Sequence, residues 1–303
     1  MNTLRERWMS YWFQPESPYN LAICRILFYG AFFLYYAPVD FSEWGAVSEA
    51  FYTPSFLFAV LNIPVLPPAV IAAMQIVWKL SLLLCCVGLF GPISKFSVLV
   101  LGYYLLGLPQ NMGKIHHFDG LLILIFGILL FARTNDVLSA DAKLFRRGGS
   151  SEPHGEYRWP IRMIWLSFAI IFLSSGLSKL MTSGLEWIGS ENMSIILLKQ
   201  QYPTSDPGPI VDWGIWVAGS PWLYMPLAAI TLFLELGYPL ALFNKYFRWI
   251  FVPGMFMAQV GIRILMGPAF YPFLIANLFW IPWHRLLPQL QKRASRGNRY
   301  AFD

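Results

Sequence analysis

The side chains in this sequence that are best suited to moving a proton lie in two short stretches. One is FLSSGLSKLMTSGLEWIG (172–189), in which Lys179 follows an apolar run and Trp187 lies eight residues later. Burial disfavours the charged form of a lysine, and this is how a lysine becomes a base near neutral pH. A lysine at the end of an apolar run can also be an interfacial anchor whose amine reaches the lipid headgroups. The position of Lys179 alone leaves both interpretations open.

The second stretch is KIHHFDG, which contains His116, His117 and Asp119. Adjacent residues on a helix point about 100° apart, so we expect only one of the two histidines to face a bundle interior, with Asp119 beside it. A carboxylate can orient an imidazole for proton transfer. A polar helix start at the membrane interface is the alternative. The sequence has no further His or Cys cluster to complete a metal site, so we expect no metal.

Two polar residues interrupt later apolar runs. Glu235 lies within LFLELGYPL, where a carboxyl group is protonated, paired with a cation or part of a polar site. We predict a pairing that serves bundle assembly, with a basic partner such as Arg25, Lys79 or Arg263. By the same argument Gln259 is predicted to face the bundle interior.

Sequence motifs of soluble enzymes are absent from the chain. It contains no phosphate-binding glycine loop, no G-x-S-x-G and no H-E-x-x-H. Ser174 and Ser175 are therefore predicted to be small helix-packing residues and not nucleophiles.

Composition assigns the chain to the membrane proteins. Of its 303 residues 57% are hydrophobic and only 13% are charged, and the mean hydropathy is +0.52. Soluble domains carry about 25% charged residues. The three cysteines all lie in apolar runs, so no disulfide framework is expected. The net charge of +6 comes from basic residues between apolar runs, which sets orientation in a membrane and does not indicate nucleic-acid binding.

The apolar runs predict an all-α, polytopic helix bundle with about eight transmembrane helices. We expect an interfacial N-terminal segment over residues 1–18, a transmembrane domain over 19–283 and a basic tail over 284–303. A short interfacial helix is also predicted over 191–200. The predicted spans are 19–37, 67–90, 92–108, 118–131, 160–180, 221–243, 247–265 and 269–283.

The distribution of basic residues predicts the orientation. With eight spans both termini lie on one side, and the loops on that side hold most of the Lys and Arg residues, whereas the opposite loops hold only Lys114 and Lys199. Because basic loops stay in the cytoplasm, we expect both termini there, in a bacterial inner membrane. Lys179, His116 and His117 are then predicted to lie near the external face. The basic residues on the predicted cytoplasmic side are Arg5, Arg7, Lys95, the 133–158 loop, Lys245, Arg248, Arg285 and the 292–299 cluster.

In their order along the chain, several segments resemble the HTTM (horizontally transferred transmembrane) domain. This domain is the membrane portion of the vitamin K-dependent γ-glutamyl carboxylase-like family. The resemblance covers nearly the whole chain, and its most specific part is the G-x-x-K-L…W-x-G pattern of residues 176–189. The other segments are YGAFFLYY, LLFARTNDVLSADA, LFLELGYPL and QVGIRILMGPAFYPF.

The resemblance implies a chemistry. In that family the carboxylase oxygenates reduced vitamin K on the luminal side and uses the energy released to take a proton from glutamate, and the carbanion then adds carbon dioxide. The family's catalytic lysine corresponds to Lys179, and its histidine to His116 or His117. The cosubstrate implied is a reduced vitamin K-type naphthoquinone or another quinol. The residues expected to contact the substrate are Asp119, Trp187, Glu235 and Gln259.

The sequence departs from the family in two places. Family members often have a histidine where this chain has Gln259. The carboxylase also carries a large soluble, β-rich portion that holds its peptide substrate, whereas the printed sequence ends 20 residues after the last predicted span. We therefore expect a quinol-linked oxygenase (epoxidase) or a carboxylase-related enzyme. The alternative is a non-catalytic membrane subunit or assembly module. The expected partners are the lipid bilayer and a membrane or soluble protein, with no nucleic acid.

Overall fold

A computed structural model describes residues 3–113, 118–145, 152–201 and 211–286. Over these residues the protein is an all-α membrane helix bundle, and its only β pairing is an isolated antiparallel bridge between Glu16 and His154. The predicted fold class is confirmed. The chain divides into two compact units, the first comprising Met1–Ile164 with Ile281–Asp303 and the second comprising Trp165–Trp280.

The first unit begins with a surface helix and then packs four long helices. α1 is closed at its N-terminus by a capping box between Thr3 and Glu6. Proline lies in the first turn of α2 (Pro18–Tyr36), α4 (Pro68–Val87) and α5 (Gly91–Asn111). An N–H group at this position has no acceptor within the helix, so proline, which lacks the N–H, costs no hydrogen bond there. The helices are α1 (Leu4–Phe13), α2 (Pro18–Tyr36), α3 (Leu57–Val60), α4 (Pro68–Val87), α5 (Gly91–Asn111), α6 (Phe118–Phe131), α7 (Ala140–Leu144), the start of α8 (Trp159–Ser183) and α16 (Trp283–Leu286).

Aromatic rings fill the core of the first unit. Tyr29 of α2 stacks on Phe126 of α6 with ring centroids 5.9 Å apart. Trp78 of α4 is fully buried and donates its indole N–H to the Val98 carbonyl of α5 at 3.1 Å. At Gly102 of α5 a Cβ atom would lie 2.9 Å from the Trp78 nitrogen, so a glycine is required there for α4 and α5 to approach this closely.

A buried arginine organises the end of this core. Arg25 is fully buried and donates to the Thr134 carbonyl at 3.0 Å, the Asn135 side-chain oxygen at 3.2 Å and the Leu138 carbonyl at 2.5 Å. Lys95 donates to the Ala132 carbonyl at 2.7 Å. These bonds satisfy carbonyls that follow the end of α6, where no further helical turn supplies donors. Arg25 therefore binds neutral oxygens, and not Glu235, for which it is one of the predicted partners.

The second unit surrounds a different aromatic core. The Trp165 and Trp280 rings stack 4.2 Å apart, and the Arg248 guanidinium lies 4.4 Å from the Trp165 centroid. The rings of Tyr238 and Phe172 pack in a T-shaped arrangement, with their centroids 4.7 Å apart. The helices are the rest of α8, α9 (Glu186–Gly189), α10 (Asn192–Gln201), α11 (Val211–Ala218), α12 (Pro221–Gly237), α13 (Leu240–Phe243), α14 (Lys245–Met266) and α15 (Tyr271–Ala276), followed by a 3₁₀ turn over Asn277–Trp280.

Within the described ranges, four helical segments are long and apolar enough to cross a membrane: Pro68–Val87, Gly91–Asn111, Gly155–Ser183 and Lys245–Met266. Three shorter apolar helices cover parts of the predicted spans 118–131, 221–243 and 269–283. The sixth predicted span is divided into α12 and α13 because Pro239 follows the end of α12 and cannot continue its hydrogen bonds. The integral membrane class is confirmed, and the count of eight spans remains a prediction. The predicted helix over 191–200 is observed as α10.

We expect Arg25→Leu to lower the free energy of unfolding by about 2–4 kcal/mol, because buried carbonyls lose their charged donor. The measurement is thermal unfolding of the detergent-solubilised protein. Lys143→Met is the matched control, since Lys143 is exposed in the same segment. Equal melting temperatures for the two variants would contradict this account of the buried arginine.

Candidate functional site

Lys179 lies in the last turns of α8 and forms an ion pair with Glu235 near the end of α12. Its amine lies 2.5 and 2.6 Å from the two carboxylate oxygens of Glu235. It also donates to the hydroxyl of Ser175 at 2.9 Å, and that hydroxyl donates to Glu235 at 3.0 Å. Because Ser175 and Lys179 are four residues apart, they share one face of α8. The three side chains form a closed hydrogen-bonded triangle.

This ion pair is largely shielded from solvent. The side chains of Lys179 and Glu235 are 19% and 9% exposed. The helices approach closely here because α8 has a glycine in the contact. A Cβ atom at Gly176 would lie 2.9 Å from the Leu236 side chain and 3.1 Å from the Cβ atom of Glu235. The packing role predicted for Ser175 therefore belongs to Gly176, and Ser175 is a polar member of the site.

Trp187 closes one side of the ion pair. α8 ends in a turn at Gly184, whose φ of +57° lies in the left-handed region that favours glycine. The turn leads into α9, from which the Trp187 ring reaches Lys179, with the amine 5.5 Å from the ring centroid. This distance is within the range of a cation–π interaction. The indole N–H of Trp187 is buried and has no acceptor among the described residues.

The geometry shows what this group can do chemically. Short hydrogen bonds between an ammonium and a carboxylate are charge-assisted and hold a proton directly between nitrogen and oxygen. The arrangement therefore places an amine, a carboxylate and a hydroxyl, all groups that can exchange a proton, within hydrogen-bond distance of one another. Glu235 pairs with a basic residue, as predicted, but this residue is Lys179 and not one of the examples Arg25, Lys79 and Arg263.

Gln259 is buried in α14, as predicted, with 3% of its surface exposed. Its side-chain oxygen has no hydrogen-bond donor among the described residues. Buried polar atoms without a partner are uncommon in native structures. No hydrogen bond in the described structure joins Gln259 to the Lys179–Glu235 pair.

Asp119 lies at the start of α6 in the first unit, where its carboxylate accepts the hydroxyl of Tyr36 at 3.0 Å. It lines a cavity of about 360 Å³ between α3, α5 and α6. His116 and His117 lie outside the described residues, so their predicted roles remain predictions. The lining residues are Ser55, Phe56, Leu57, Phe58, Tyr103, Leu106, Gly107, Gln110, Asn111, Asp119, Gly120 and Ile123.

Sequence reasoning did not identify three members of these sites. Ser175 was assigned to packing because small residues favour helix contacts, and only its distances to Lys179 and Glu235 reveal a polar role. Tyr36 belongs to YGAFFLYY, but nothing in that run indicates which tyrosine meets a carboxylate 83 positions later. Gly176 lies in the G-x-x-K-L pattern, but this pattern does not indicate which helix packs against the glycine.

We expect Glu235→Leu to reduce the free energy of unfolding by about 3 kcal/mol, because a partly buried ammonium loses its counter-charge. The double variant Lys179→Met/Glu235→Leu should recover most of this loss, since it removes both charges. Thermal unfolding of the wild type, both single variants and the double variant completes the cycle. If the single losses simply add in the double variant, the two side chains are not coupled.

Comparison with known proteins gives one family match. The HTTM domain model matches residues 13–281, which is most of the chain. No match was found among curated proteins or among solved structures. The matched range contains the Lys179–Glu235 pair, Trp187, Gln259 and Asp119. The chain therefore belongs to the HTTM domain family.

Proposed function

We propose that this HTTM protein is a quinol-linked membrane oxygenase in which Lys179 is the base. The observation that carries the proposal is the Lys179–Glu235–Ser175 triangle, which holds a proton between an amine and a carboxylate at 2.5 and 2.6 Å. The lysine identified by the family resemblance is the one with these partners. A lysine that served only as an interfacial anchor would direct its amine to the headgroups instead.

The proton-transfer step can be followed through the residues of the triangle. As the base, Lys179 passes a proton to Glu235 and accepts a hydroxyl proton from a quinol. The O–H bond breaks as the N–H bond forms, and the resulting ammonium balances the charge left on the oxygen. Overall, one reduced naphthoquinone and one molecular oxygen give one quinone epoxide and one water, with the quinol as the only reductant. Ser175 keeps the carboxylate and the amine in register. The family resemblance separately implies a proton-transfer role for His116 or His117.

The cavity beside Asp119 fits the implied cosubstrate. Its volume of about 360 Å³ falls within the range of small-molecule sites, roughly 300–1,000 Å³. Phe58 and Tyr103 stack at 5.4 Å and form an aromatic wall, while Asn111 and Asp119 supply polar groups. A reduced quinone has an apolar ring, which can pack against the aromatic wall. It also has hydroxyl groups, which can donate hydrogen bonds to the carboxylate of Asp119. We propose that this cavity of the first unit is a binding site for a reduced quinone.

An assembly role for the chain is the second candidate. The observation in its favour is that Lys179 already has two carboxylate oxygens, a hydroxyl and an aromatic ring as partners. Such a closed group joins α8 to α12 whether or not any reaction follows. In this case the protein would be a non-catalytic membrane subunit, and the ion pair would be replaceable by apolar side chains of similar volume.

We expect Lys179→Met to lower the rate of oxidation of a reduced naphthoquinone by at least about 100-fold, the contribution typical of a general base. The assay follows quinol loss and oxygen uptake in proteoliposomes. Lys199→Met is the matched control, because Lys199 is an exposed lysine of the same unit. A Lys179→Met variant with the melting temperature and the full activity of the wild type would contradict the assignment of Lys179 as the base.

The double variant Lys179→Met/Glu235→Leu separates the two candidates. The oxygenase proposal expects a folded and inactive protein, because the base is gone while the helix contact is retained. The assembly proposal expects a folded protein that keeps its cellular function, as measured by complementation of a deletion strain. Complementation by this variant would replace the first proposal with the second.

We expect Asp119→Asn to weaken binding of the reduced quinone by about tenfold and to leave binding of the oxidised quinone unchanged. Only the reduced form donates hydroxyl hydrogens, and a charged acceptor makes the stronger hydrogen bond. The measurement is quenching of tryptophan fluorescence under anaerobic conditions. Glu43→Gln, an exposed acid of the same unit, is the control. Equal weakening of both redox forms would contradict the hydrogen bond to Asp119.

A further inference from the structure

Part of the connection between α2 and α4 is folded back along α5 in the first unit. We call this part, residues 51–63, the return segment. Phe58 at its centre is 2% exposed, and its ring stacks on Tyr103 and Tyr104 of α5 with centroids 5.4 and 5.8 Å apart. A Cβ atom at Gly107 would lie 2.7 Å from the Phe58 ring, so a glycine makes room for this contact. The return segment therefore packs against the side of α5 and does not extend away from its end.

The residues that contact Phe58 set the height of the return segment along α5. This helix is long and apolar enough to cross a membrane, and it ends at Asn111. Gly107 and Tyr103 lie four and eight residues before that end, which at 1.5 Å per residue corresponds to about 6 and 12 Å along the axis. The return segment thus lies beside the last two turns of a membrane-spanning helix, at the height where headgroups meet acyl chains.

The surface that the return segment presents away from α5 is apolar. Phe56, Val60 and Leu61 are 85%, 74% and 63% exposed, although Phe58 between them is buried. The sequence has no charged residue between Glu49 and Lys79. A contiguous exposed apolar patch of this kind marks a surface that binds a protein, a ligand or a membrane. At the height of a span, the surrounding medium that such a surface requires is hydrocarbon.

The backbone of the return segment meets the requirement for a position out of water. Below the headgroups a backbone N–H group needs an acceptor within the protein. The N–H groups of Thr53 and Ser55 donate to the backbone and side-chain oxygens of Asn111, each at 2.8 Å. The Tyr52 hydroxyl donates to the Ile63 carbonyl and so closes the segment. Further N–H groups donate to carbonyls within the segment at 2.9 to 3.3 Å, namely those of Phe58, Val60, Leu61, Asn62 and Ile63.

We propose that the return segment inserts into the lipid leaflet beside the end of α5, with Phe56, Val60 and Leu61 in contact with acyl chains. Three observations select lipid as the occupant of this surface: the height of the segment along a span, its lack of charge and its internally bonded backbone. The sequence analysis placed these residues between two predicted spans, so this is an additional contact with the membrane. The proposal does not rest on the quinol-linked reaction.

The test measures the depth of a nitroxide spin label in proteoliposomes, by electron paramagnetic resonance with oxygen and a water-soluble nickel complex as relaxing agents. Val60→Cys carries the label in the full chain, with the native Cys24, Cys85 and Cys86 replaced by alanine. We expect this label to lie about 5–10 Å below the phosphates, the depth typical of segments buried at the headgroup–acyl boundary. Glu49→Cys, at an exposed position of the same connection, is the control and should report the aqueous phase.

Because the replacement of buried cysteines can disturb folding, a second measurement keeps them. The photoreactive residue p-benzoylphenylalanine in place of Val60 should form adducts with phospholipid, detected by mass spectrometry, whereas the same residue in place of Glu49 should form none.

Two outcomes would overturn the proposal. One is equal access of the nickel complex to the labels at positions 60 and 49, which would show that the return segment is an aqueous loop. The other is a label at position 60 that neither oxygen nor nickel reaches, together with photoadducts to protein. This result would show that another part of the chain, or a second copy of it, covers the apolar surface.

Discussion

The lack of water in the hydrocarbon region of a bilayer is the constraint on which this structure depends. A charged or polar group there must find its partner within the protein. The chain meets this requirement in two local ways. In the first unit Arg25 and Lys95 satisfy the carbonyls that follow α6. In the second unit Lys179 and Glu235 neutralise each other, with Ser175 completing the set. In both units, therefore, side chains that would be costly alone determine which segments pack together.

The same requirement connects stability with the proposed chemistry. An ion pair that is held closely and largely out of solvent stabilises the contact between α8 and α12, and it also keeps a proton in a defined place. Glycine makes this possible, because Gly176 lets Glu235 approach without a steric conflict. A base that is also a structural element is difficult to study by single substitution. The double variant that removes both charges is therefore the informative one, since it separates the loss of a proton acceptor from the loss of an ion partner.

The N-terminal helix follows a different physical rule. α1 buries none of its residues in the protein, so its apolar side chains require another environment. Arg158 and Arg162 contact Tyr11 of this helix, which connects the start of α8 to α1.

The sequence by itself determined the all-α membrane class and most helix positions, and it indicated Lys179, Glu235 and Gln259 as polar residues within or at the end of apolar runs. These follow from local properties: apolar runs long enough to span a bilayer, helix-breaking prolines, and ionisable groups where hydrocarbon is expected. The pairing of Glu235 with Lys179 and not with Arg25 was decided by tertiary structure, because many helix registers are compatible with the same apolar pattern. The division of the sixth predicted span, the hydrogen bond from Tyr36 to Asp119 and the polar role of Ser175 were decided in the same way. Each depends on which faces of distant helices meet, and the hydropathy of a single segment contains no information about that choice.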